Sequence, residues 1–281
     1  MKKLVCFGDS FIDANIDQTD KTWYKILSQN LKIPILNYGK SATSIEFSIN
    51  NLFEYINSEN YDPSDIIVFV YTSFYRVPLI HENFISEHAA YWITYLQGGI
   101  PKTHPAFNTY NKDHKFYETL FRYTDLKFIQ KNRILLTLAL KALPNSTLCL
   151  SAFKDIDIAL KPHMRHLLNP TENFLYINTD LELISRNEIV GHEYNKIHGF
   201  FKGEPRENHL GYSNHQILAR QLLDCIANKT NKYFDQNAFR KQYIDITNID
   251  EETFHQEFKA GWKKILDNAE YVNKWARADN K

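Results

Sequence analysis

The stretch "LVCFGDSFID", residues 4–13, decides the fold. Four apolar residues run directly into Gly8, Asp9 and Ser10. A short, continuous apolar run that stops at turn residues is typical of a strand buried on both faces of a parallel sheet. Ser10 then has two interpretations. It either caps the turn that follows the strand, or it is a nucleophile held at the carboxyl edge of the sheet.

Strand and helix patterns alternate along the chain after this first strand. Further apolar runs predict strands at 35–39, 66–71, 146–153 and 173–179. Apolar residues at helical spacing predict helices at 20–31, 44–57, 128–143 and 214–227. Residues 180–208 show no strong period and are expected to form mostly loop. The alternation predicts an α/β fold, a three-layer α/β/α sandwich with a mainly parallel sheet.

The composition bounds the class of protein. The 281 residues are 43% hydrophobic, enough for a sizeable core, and 33 basic residues balance 33 acidic ones. Because there is no basic surplus, we do not expect nucleic-acid binding. The cysteines are three and widely spaced, which predicts buried thiols rather than disulfides. The first apolar stretch is too short for a signal peptide and no run is long enough to span a membrane, so we expect a cytoplasmic protein without membrane contact.

The segment 74–125 is expected to be an insertion after the third strand. Of its 52 residues, 12 are aromatic. Long loops in compact domains are commonly lids or binding loops. The rings therefore either contact a substrate or form the insertion's own small core.

The chain is expected to divide into a domain at 1–229 and a helical C-terminal extension at 230–281. An apolar stripe at helical spacing runs through the extension from Phe254 to Trp275 and must bury against something. It packs either on its own domain or on a second subunit, and the second case would make a homo-oligomer.

The chemistry of Ser10 depends on partners from other strands. A serine hydroxyl is a weak nucleophile until a base takes its proton, and the oxyanion formed after attack needs hydrogen-bond donors. His209 is the best base among the eleven histidines because it lies directly before the last predicted helix. Glu207, two residues earlier, is placed to orient the imidazole. Candidate donors stand at the ends of the second and third strands: Gly39, Thr72 and Ser73.

Together, "FGDSFID", a glycine after the second strand and a histidine shortly before a terminal helix resemble the SGNH, or GDSL-type, hydrolase family. The resemblance covers roughly residues 3–228 and is close at the residue level only in the first motif. It implies a flavodoxin-like α/β/α fold and an esterase that acts on carboxylic esters by acyl transfer, with no cofactor and no metal. It makes Ser10 the nucleophile, His209 the base, and the N–H groups of Ser10 and Gly39 oxyanion donors.

Two positions depart from the pattern of that family. The family has an asparagine after the third strand, whereas "YTSFYR" has none, so Ser73 or Thr72 is expected to donate instead. The family usually has an aspartate three residues before the histidine, where this chain has Arg206. Either Glu207 or a backbone carbonyl takes that role, or the triad has decayed.

Arg76 and Asp9 complete the candidate residues. Arg76 is either a surface charge or a clamp for an anionic group of the substrate. Asp9 either supports the turn or contacts substrate. Thr72 is a further candidate for a contact with substrate. His163 and His166 are a weak zinc signal, and no metal site is expected. The expected substrate is a small O-acyl group, preferably acetyl, on a carbohydrate or similar small molecule. The alternatives are an O-acyltransferase and a catalytically weakened domain that binds a glycan or a protein.

Overall fold

A computed structural model of the chain describes residues 1–13, 22–40, 43–72, 76–81, 84–91, 126–153, 166–185, 187–190, 210–240 and 242–245. The strands are β1 (Leu4–Phe7), β2 (Ile35–Asn37), β3 (Ile66–Tyr71), β4 (Arg76–His81), β5 (Phe84–Tyr91), β6 (Ser146–Ser151), β7 (Phe174–Tyr176), β8 (Asn187–Val190) and β9 (Gln242–Asp245). The α-helices are α1 (Trp23–Leu31), α2 (Ile45–Ile56), α3 (Leu126–Ala142), α4 (Leu181–Ser185) and α5 (Tyr212–Asn228).

Five strands form one sheet in the order β2-β1-β3-β6-β7. Each neighbouring pair is parallel. The chain first steps from β1 to one side and then crosses to β3 on the other side, which is the flavodoxin-like strand order. The point where the order reverses lies between β1 and β3, and folds of this kind bind ligands at the carboxyl edge of that switch point. The predicted α/β class and parallel sheet are confirmed.

The sheet is buried on both faces by two clusters of apolar side chains. All residues of β1 and β3 are buried. On one face α1 and α5 contact each other and contribute Leu27 and Leu218 to the first cluster. On the other face α2 and α3 contribute Leu52 and Leu140 to the second cluster. The result is the three-layer sandwich that the sequence predicts.

Most predicted elements of this sandwich are present with ends that shift by a few residues. Helix α1 ends at Leu31 because Lys32 adopts a left-handed conformation with φ of 54°. The Lys32 N–H donates to the Gln29 carbonyl at 3.1 Å, and the Ile33 N–H donates to the Ser28 carbonyl at 3.2 Å. Helix α2 begins after Ser44, whose hydroxyl accepts from the Phe47 N–H at 3.5 Å.

Two stretches of the C-terminal third contain elements that the sequence does not predict. Residues 180–208 were expected to be mostly loop, but they contain α4 and β8. In the segment 230–281, the described residues form two short 3₁₀ helices and then β9, which pairs in parallel with β8, and the helical extension itself stays a prediction. Each of these strands has four residues, too few to show a period, and each is stabilised by a partner that is distant in sequence.

The stretch between α5 and β9 packs against the main domain. Phe239 is buried and belongs to the same cluster as the apolar residues of α1 and α5. Asn214, which is fully buried on α5, donates to the Arg240 carbonyl at 2.7 Å and accepts from the Arg240 N–H at 2.8 Å. The same amide lies 3.1 Å from the Ile184 carbonyl and 3.0 Å from that of Ser185. One side chain therefore joins α4, α5 and the chain that leads into β9.

The segment 74–125 is described only in part. Its strands β4 and β5 form an antiparallel hairpin, with Arg76 opposite Tyr91, which the sequence did not predict. Both strands contact α2. The stripe from Phe254 to Trp275 lies outside the described residues, and a homo-oligomer through it stays a prediction. Within the described ranges, no helix is both long and apolar enough to cross a membrane.

Candidate active site

Three chain segments meet at the carboxyl edge of the switch point. Because β1 is parallel to both β2 and β3, the residues that follow these strands lie side by side. They are Gly8 to Ser10 after β1, Tyr38 to Lys40 after β2, and Thr72 after β3. The Lys40 N–H donates to the Gly8 carbonyl at 3.1 Å, which continues the β1–β2 pairing past the strands. The fold therefore brings Ser10 to the edge at which the sequence placed it.

Ser10 occupies the corner of a tight turn. The Ile12 N–H donates to the Asp9 carbonyl at 3.1 Å and the Phe11 N–H donates to Asp9 Oδ1 at 3.2 Å, so the aspartate closes the turn with both its backbone and its side chain. Ser10 is half-buried, whereas its neighbours on both sides are buried. Among the residues that the structure describes, none makes a hydrogen bond with the Ser10 hydroxyl or N–H. Both groups belong to a turn that two hydrogen bonds close.

Gly8 is required by the close approach of β3. A Cβ atom added at Gly8 would lie 2.8 Å from the Cβ of Val70 and 3.1 Å from the Val70 carbonyl oxygen. Val70 is fully buried in the middle of the sheet and has little room to move. The glycine of the "GDS" motif thus lets the serine turn lie directly against the neighbouring strand.

Thr72 and Asp9 are bonded to each other. The Thr72 hydroxyl donates to Asp9 Oδ2 at 2.7 Å, and both residues are buried. A hydroxyl has one proton, so Thr72 does not supply an oxyanion donor in this arrangement. Since the Phe11 N–H donates to the other oxygen of Asp9, the carboxylate supports the turn, and a contact with substrate stays a prediction.

The Gly39 N–H also donates to a neighbouring side chain, and its role as an oxyanion donor stays a prediction. That N–H donates to Asn37 Oδ1 at 2.8 Å, and Asn37 Nδ2 donates to the Ile12 carbonyl at 2.6 Å. A Cβ at Gly39 would lie 2.4 Å from Ile12 Cγ1 and 2.8 Å from the Ile12 carbonyl oxygen. The described role of this glycine is therefore close packing under the serine turn. The sequence did not point to Asn37, although it stands two residues before a glycine, a spacing typical of an Asx turn.

Arg133 is a second residue that the sequence did not single out. It lies on α3, is buried, and donates from one terminal nitrogen (NH2) to the Thr72 carbonyl at 2.5 Å. Its guanidinium carbon also lies 5.8 Å from the centre of the Tyr71 ring. A signal was present: Arg133 is three and seven residues before Leu136 and Leu140, at the spacing of the buried face of the helix.

Lys40 brings a half-buried ammonium group to the same edge. Burial lowers the pKa of Lys40, and the nearby Asp13 carboxylate raises it. Asp13 is itself buried at the end of the segment that holds Ser10. The two charges therefore partly compensate each other beside the turn.

The remaining predicted site residues are not described. Glu207, His209 and Ser73 lie outside the described residues, and only the backbone of Arg76 is described, as the first residue of β4. Their roles stay predictions. Across the described stretches, no group of three or more His, Cys, Asp or Glu side chains is placed to hold a metal ion.

The residues that follow His209 are described, and the first turn of α5 is linked to the serine turn through Trp23. Leu210 is buried and Gly211 is the N-cap of α5. In the first turn of α5, His215 Nδ1 accepts from the Trp23 N–H at 3.2 Å. The indole N–H of Trp23 donates in turn to the carbonyl of Phe11, the residue after Ser10, at 3.0 Å. Two hydrogen bonds thus connect the start of α5 to the serine turn.

Comparison with known proteins returns solved structures only. No protein-family model matches the chain, and no curated protein matches it. A member of the lipolytic protein G-D-S-L family from Veillonella parvula DSM 2008 is 14% identical, with a TM-score of 0.41, over 80% of this chain and 97% of that one. A psychrotrophic esterase, EstA, from Pseudoalteromonas sp. is 11% identical, with a TM-score of 0.42, over 82% and 98%. An acetyl xylan esterase from the rumen bacterium Butyrivibrio proteoclasticus is 13% identical, with a TM-score of 0.41, over 83% and 65%. Likenesses at these identities and TM-scores do not transfer an activity to this chain.

Proposed function

We propose that this chain is a serine hydrolase of the SGNH type that cleaves a carboxylic ester. The observation that carries the proposal is the placement of Ser10. It is half-buried at the corner of a turn, at the carboxyl edge of the switch point, and its hydroxyl and N–H make no hydrogen bond within the described residues. Ligands of open α/β sheets bind at this edge. A hydroxyl and an N–H on one residue supply a nucleophile and an oxyanion donor to the same carbonyl group.

The proposed reaction has two steps. His209 takes the proton of the Ser10 hydroxyl, and the serine oxygen attacks the ester carbonyl. The Ser10 N–H and Ser73 donate to the oxyanion, while Glu207 orients the imidazole. The carbonyl re-forms, the leaving alcohol takes the proton from His209, and an acyl-enzyme remains. Water, activated by the same histidine, then releases the acid and restores Ser10.

The contacts of α5 support His209 as the base. His215 is bonded to Trp23, and Trp23 is bonded to Phe11 next to Ser10. Leu210 directly follows His209, and consecutive Cα atoms are about 3.8 Å apart. Leu210 is buried in the same cluster as Phe11, so the residue that follows His209 and the residue that follows Ser10 pack on the same face of the sheet.

For the substrate, we propose a small O-acyl group, preferably acetyl, on a carbohydrate. The support is the sequence of segment 74–125, which is rich in aromatic residues and leaves the sheet directly beyond Thr72, beside the serine turn. Aromatic rings are suited to stacking on sugar rings and to lining small pockets. We also propose that the protein acts in the cytoplasm, which its three buried, free cysteines support.

A second candidate function is a weakened domain that binds a glycan or a protein without turnover. The observation that favours it is the engagement of two expected donors, since Thr72 is bonded to Asp9 and Gly39 is bonded to Asn37. Losing one oxyanion donor costs roughly a hundred- to a thousandfold in rate. A site that relies on Ser10 and Ser73 alone would be slow.

Hydrolysis of p-nitrophenyl acetate tests the mechanism. Ser10→Ala and His209→Ala should each lose activity by roughly a thousandfold or more. The matched controls Ser64→Ala and His166→Ala replace exposed residues and should behave like wild type. Equal rates in all five proteins would overturn general esterase activity. Binding of acetylated oligosaccharides to wild type and Ser10→Ala with equal affinity and no acid release would then favour the binding domain.

A further inference from the structure

We infer that Thr72 and Arg133 are positioning residues, which hold the Ser10 turn against the end of β3 through a buried chain of hydrogen bonds. These hydrogen bonds run from the serine turn through Asp9 to Thr72 and on to Arg133. Their effect on catalysis rests on the proposed function, whereas their effect on the turn itself does not.

The first link joins two neighbouring strand ends. Asp9 Oδ2 accepts from the Thr72 hydroxyl at 2.7 Å, and Asp9 Oδ1 accepts from the Phe11 N–H at 3.2 Å. Neither Asp9 nor Thr72 is appreciably exposed, at 0% and 2%. A hydrogen bond to a buried carboxylate is stronger than one between neutral groups. The bond therefore fixes the turn relative to β3 at the switch point.

The second link ties the end of β3 to α3. Arg133 donates to the Thr72 carbonyl at 2.5 Å from a side chain that is 3% exposed. Thr137, one helical turn later, donates to the Arg133 carbonyl at 2.8 Å and lies 3.1 Å from the Tyr71 hydroxyl. The same helix therefore contacts the last residue of β3 through Thr137 and the residue after it through Arg133. A planar guanidinium on a rigid helix holds a carbonyl in one direction.

A carboxyl group on α2 lies within electrostatic range of Arg133. Glu46, in the first turn of α2, lies close enough for Arg133 to lower its pKa, against the larger raising effect of burial. The guanidinium of Arg133 therefore bonds the residue after β3 and acts electrostatically on the first turn of α2. The contacts of Arg133 and Thr137 hold the end of β3 in position. The sequence that follows this strand, "YTSFYR", has no asparagine.

Catalysis is sensitive to such positioning. A displacement of about 1 Å in a reacting group costs roughly a hundredfold even when the change is remote from the chemistry. Thr72 and Arg133 do not need to touch substrate to affect the rate. They act on kcat through the position of the Ser10 hydroxyl and N–H.

Amide hydrogen exchange of the full chain tests the link to the turn without requiring any activity. Thr72→Val and Arg133→Met should raise the exchange rate of the Phe11 and Ile12 amides by roughly 5- to 30-fold, the factor expected for loss of one buried hydrogen bond. The control is Thr147→Val, the same substitution at a buried threonine whose hydroxyl donates to the Asn145 carbonyl at the opposite edge of the sheet. It should leave these two amides unchanged. Unchanged exchange in both test variants would overturn the inference.

Kinetics on p-nitrophenyl acetate separate positioning from stability. We expect kcat to fall roughly 10- to 100-fold in Thr72→Val and Arg133→Met with KM little changed. Thr72→Ser keeps a hydroxyl and Arg133→Lys keeps a donor, so both should recover most of the loss. Thr147→Val should lose thermal stability with its kcat unchanged.

The outcomes distinguish this inference from the proposed function. An inactive wild type whose turn amides respond to Thr72→Val would overturn the esterase and keep the positioning link. An active wild type whose kcat is unchanged in Thr72→Val and Arg133→Met, at a temperature where both are folded, would overturn the positioning role. Equal losses in Thr72→Val and Thr72→Ser would also overturn it, because the hydroxyl would then not be the cause.

Discussion

Replacing Gly39 by alanine separates packing from hydrogen bonding at the candidate site. The substitution keeps the N–H that donates to Asn37 and adds only a Cβ atom. That atom would lie 2.4 Å from Ile12 Cγ1, 2.8 Å from the Ile12 carbonyl oxygen and 2.9 Å from its carbonyl carbon. Since real Cβ contacts do not come this close, the serine turn has to move. Ile12 is fully buried, so the movement disturbs the core as well.

The expected cost follows from the kind of contact. Forcing an extra carbon into a packed core costs about 1–3 kcal/mol in the free energy of unfolding. Ile12→Ala alone should cost about 2–5 kcal/mol. In the double variant the 2.4 Å contact is gone while the backbone contacts remain. The cost of Gly39→Ala should therefore fall in the Ile12→Ala background, with a coupling energy of about 0.5–3 kcal/mol.

Urea unfolding of the four proteins measures this coupling, provided that the slopes of the transitions agree. Additive costs, or a Gly39→Ala variant as stable as wild type, would refute the close approach of Gly39 and Ile12. Esterase rates on the same four proteins add a second comparison. Activity that falls in Gly39→Ala and returns in part in the double variant would show that the position of the turn, rather than the Gly39 N–H alone, limits the reaction.

Three further predictions concern groups around the sheet. His215→Ala removes the acceptor of the buried Trp23 N–H and should cost about 1–3 kcal/mol in urea unfolding, whereas exposed His166→Ala should stay within about 0.5 kcal/mol of wild type; equal costs would contradict the bond. Burial raises the pKa of the Glu46 carboxyl above its usual 4.5, so the folded state disfavours its ionised form and loses stability as the pH rises through that raised value. Glu46→Gln should therefore be more stable than wild type near neutral pH and equal to it well below pH 4.5, and a destabilised variant at neutral pH would refute the sign. Burial raises the pKa of the Cys225 thiol to about 11 and that of Cys6 further, so a thiol reagent should label these residues only after unfolding, and rapid labelling of the native chain would contradict their burial.

The parallel sheet could be predicted because its strands carry their own signal. A strand such as β3 is apolar at all six positions, and burial on both faces is sufficient to explain that pattern. The place of Ser10 followed from the same reasoning, since a turn after β1 has to lie at the carboxyl edge. Strands β8 and β9 could not be predicted, because they depend on each other and neither is long enough to show alternation.

The donors of the site could not be predicted from spacing. Gly39 and Thr72 stand where an oxyanion donor is needed. However, the Gly39 N–H donates a hydrogen bond to Asn37, and the Thr72 hydroxyl donates one to Asp9. Which acceptor such a donor bonds depends on distances of a few tenths of an ångström between segments that are remote in sequence. Arg133 was detectable as a charged residue on an apolar helix face, but its carbonyl partner came from the tertiary structure.

The parallel pairing of β8 with β9 has a consequence for biosynthesis. Strand β8 emerges from the ribosome with a free edge, which stays open until Gln242–Asp245 has also been made. During that interval Asn214 has no Arg240 backbone to bond, and the core lacks Phe239. A nascent chain that stops at residue 229 would therefore present an unpaired β8 edge and a core without Phe239, so the synthesis of residues 230–245, rather than the end of α5, completes the pairing and the core.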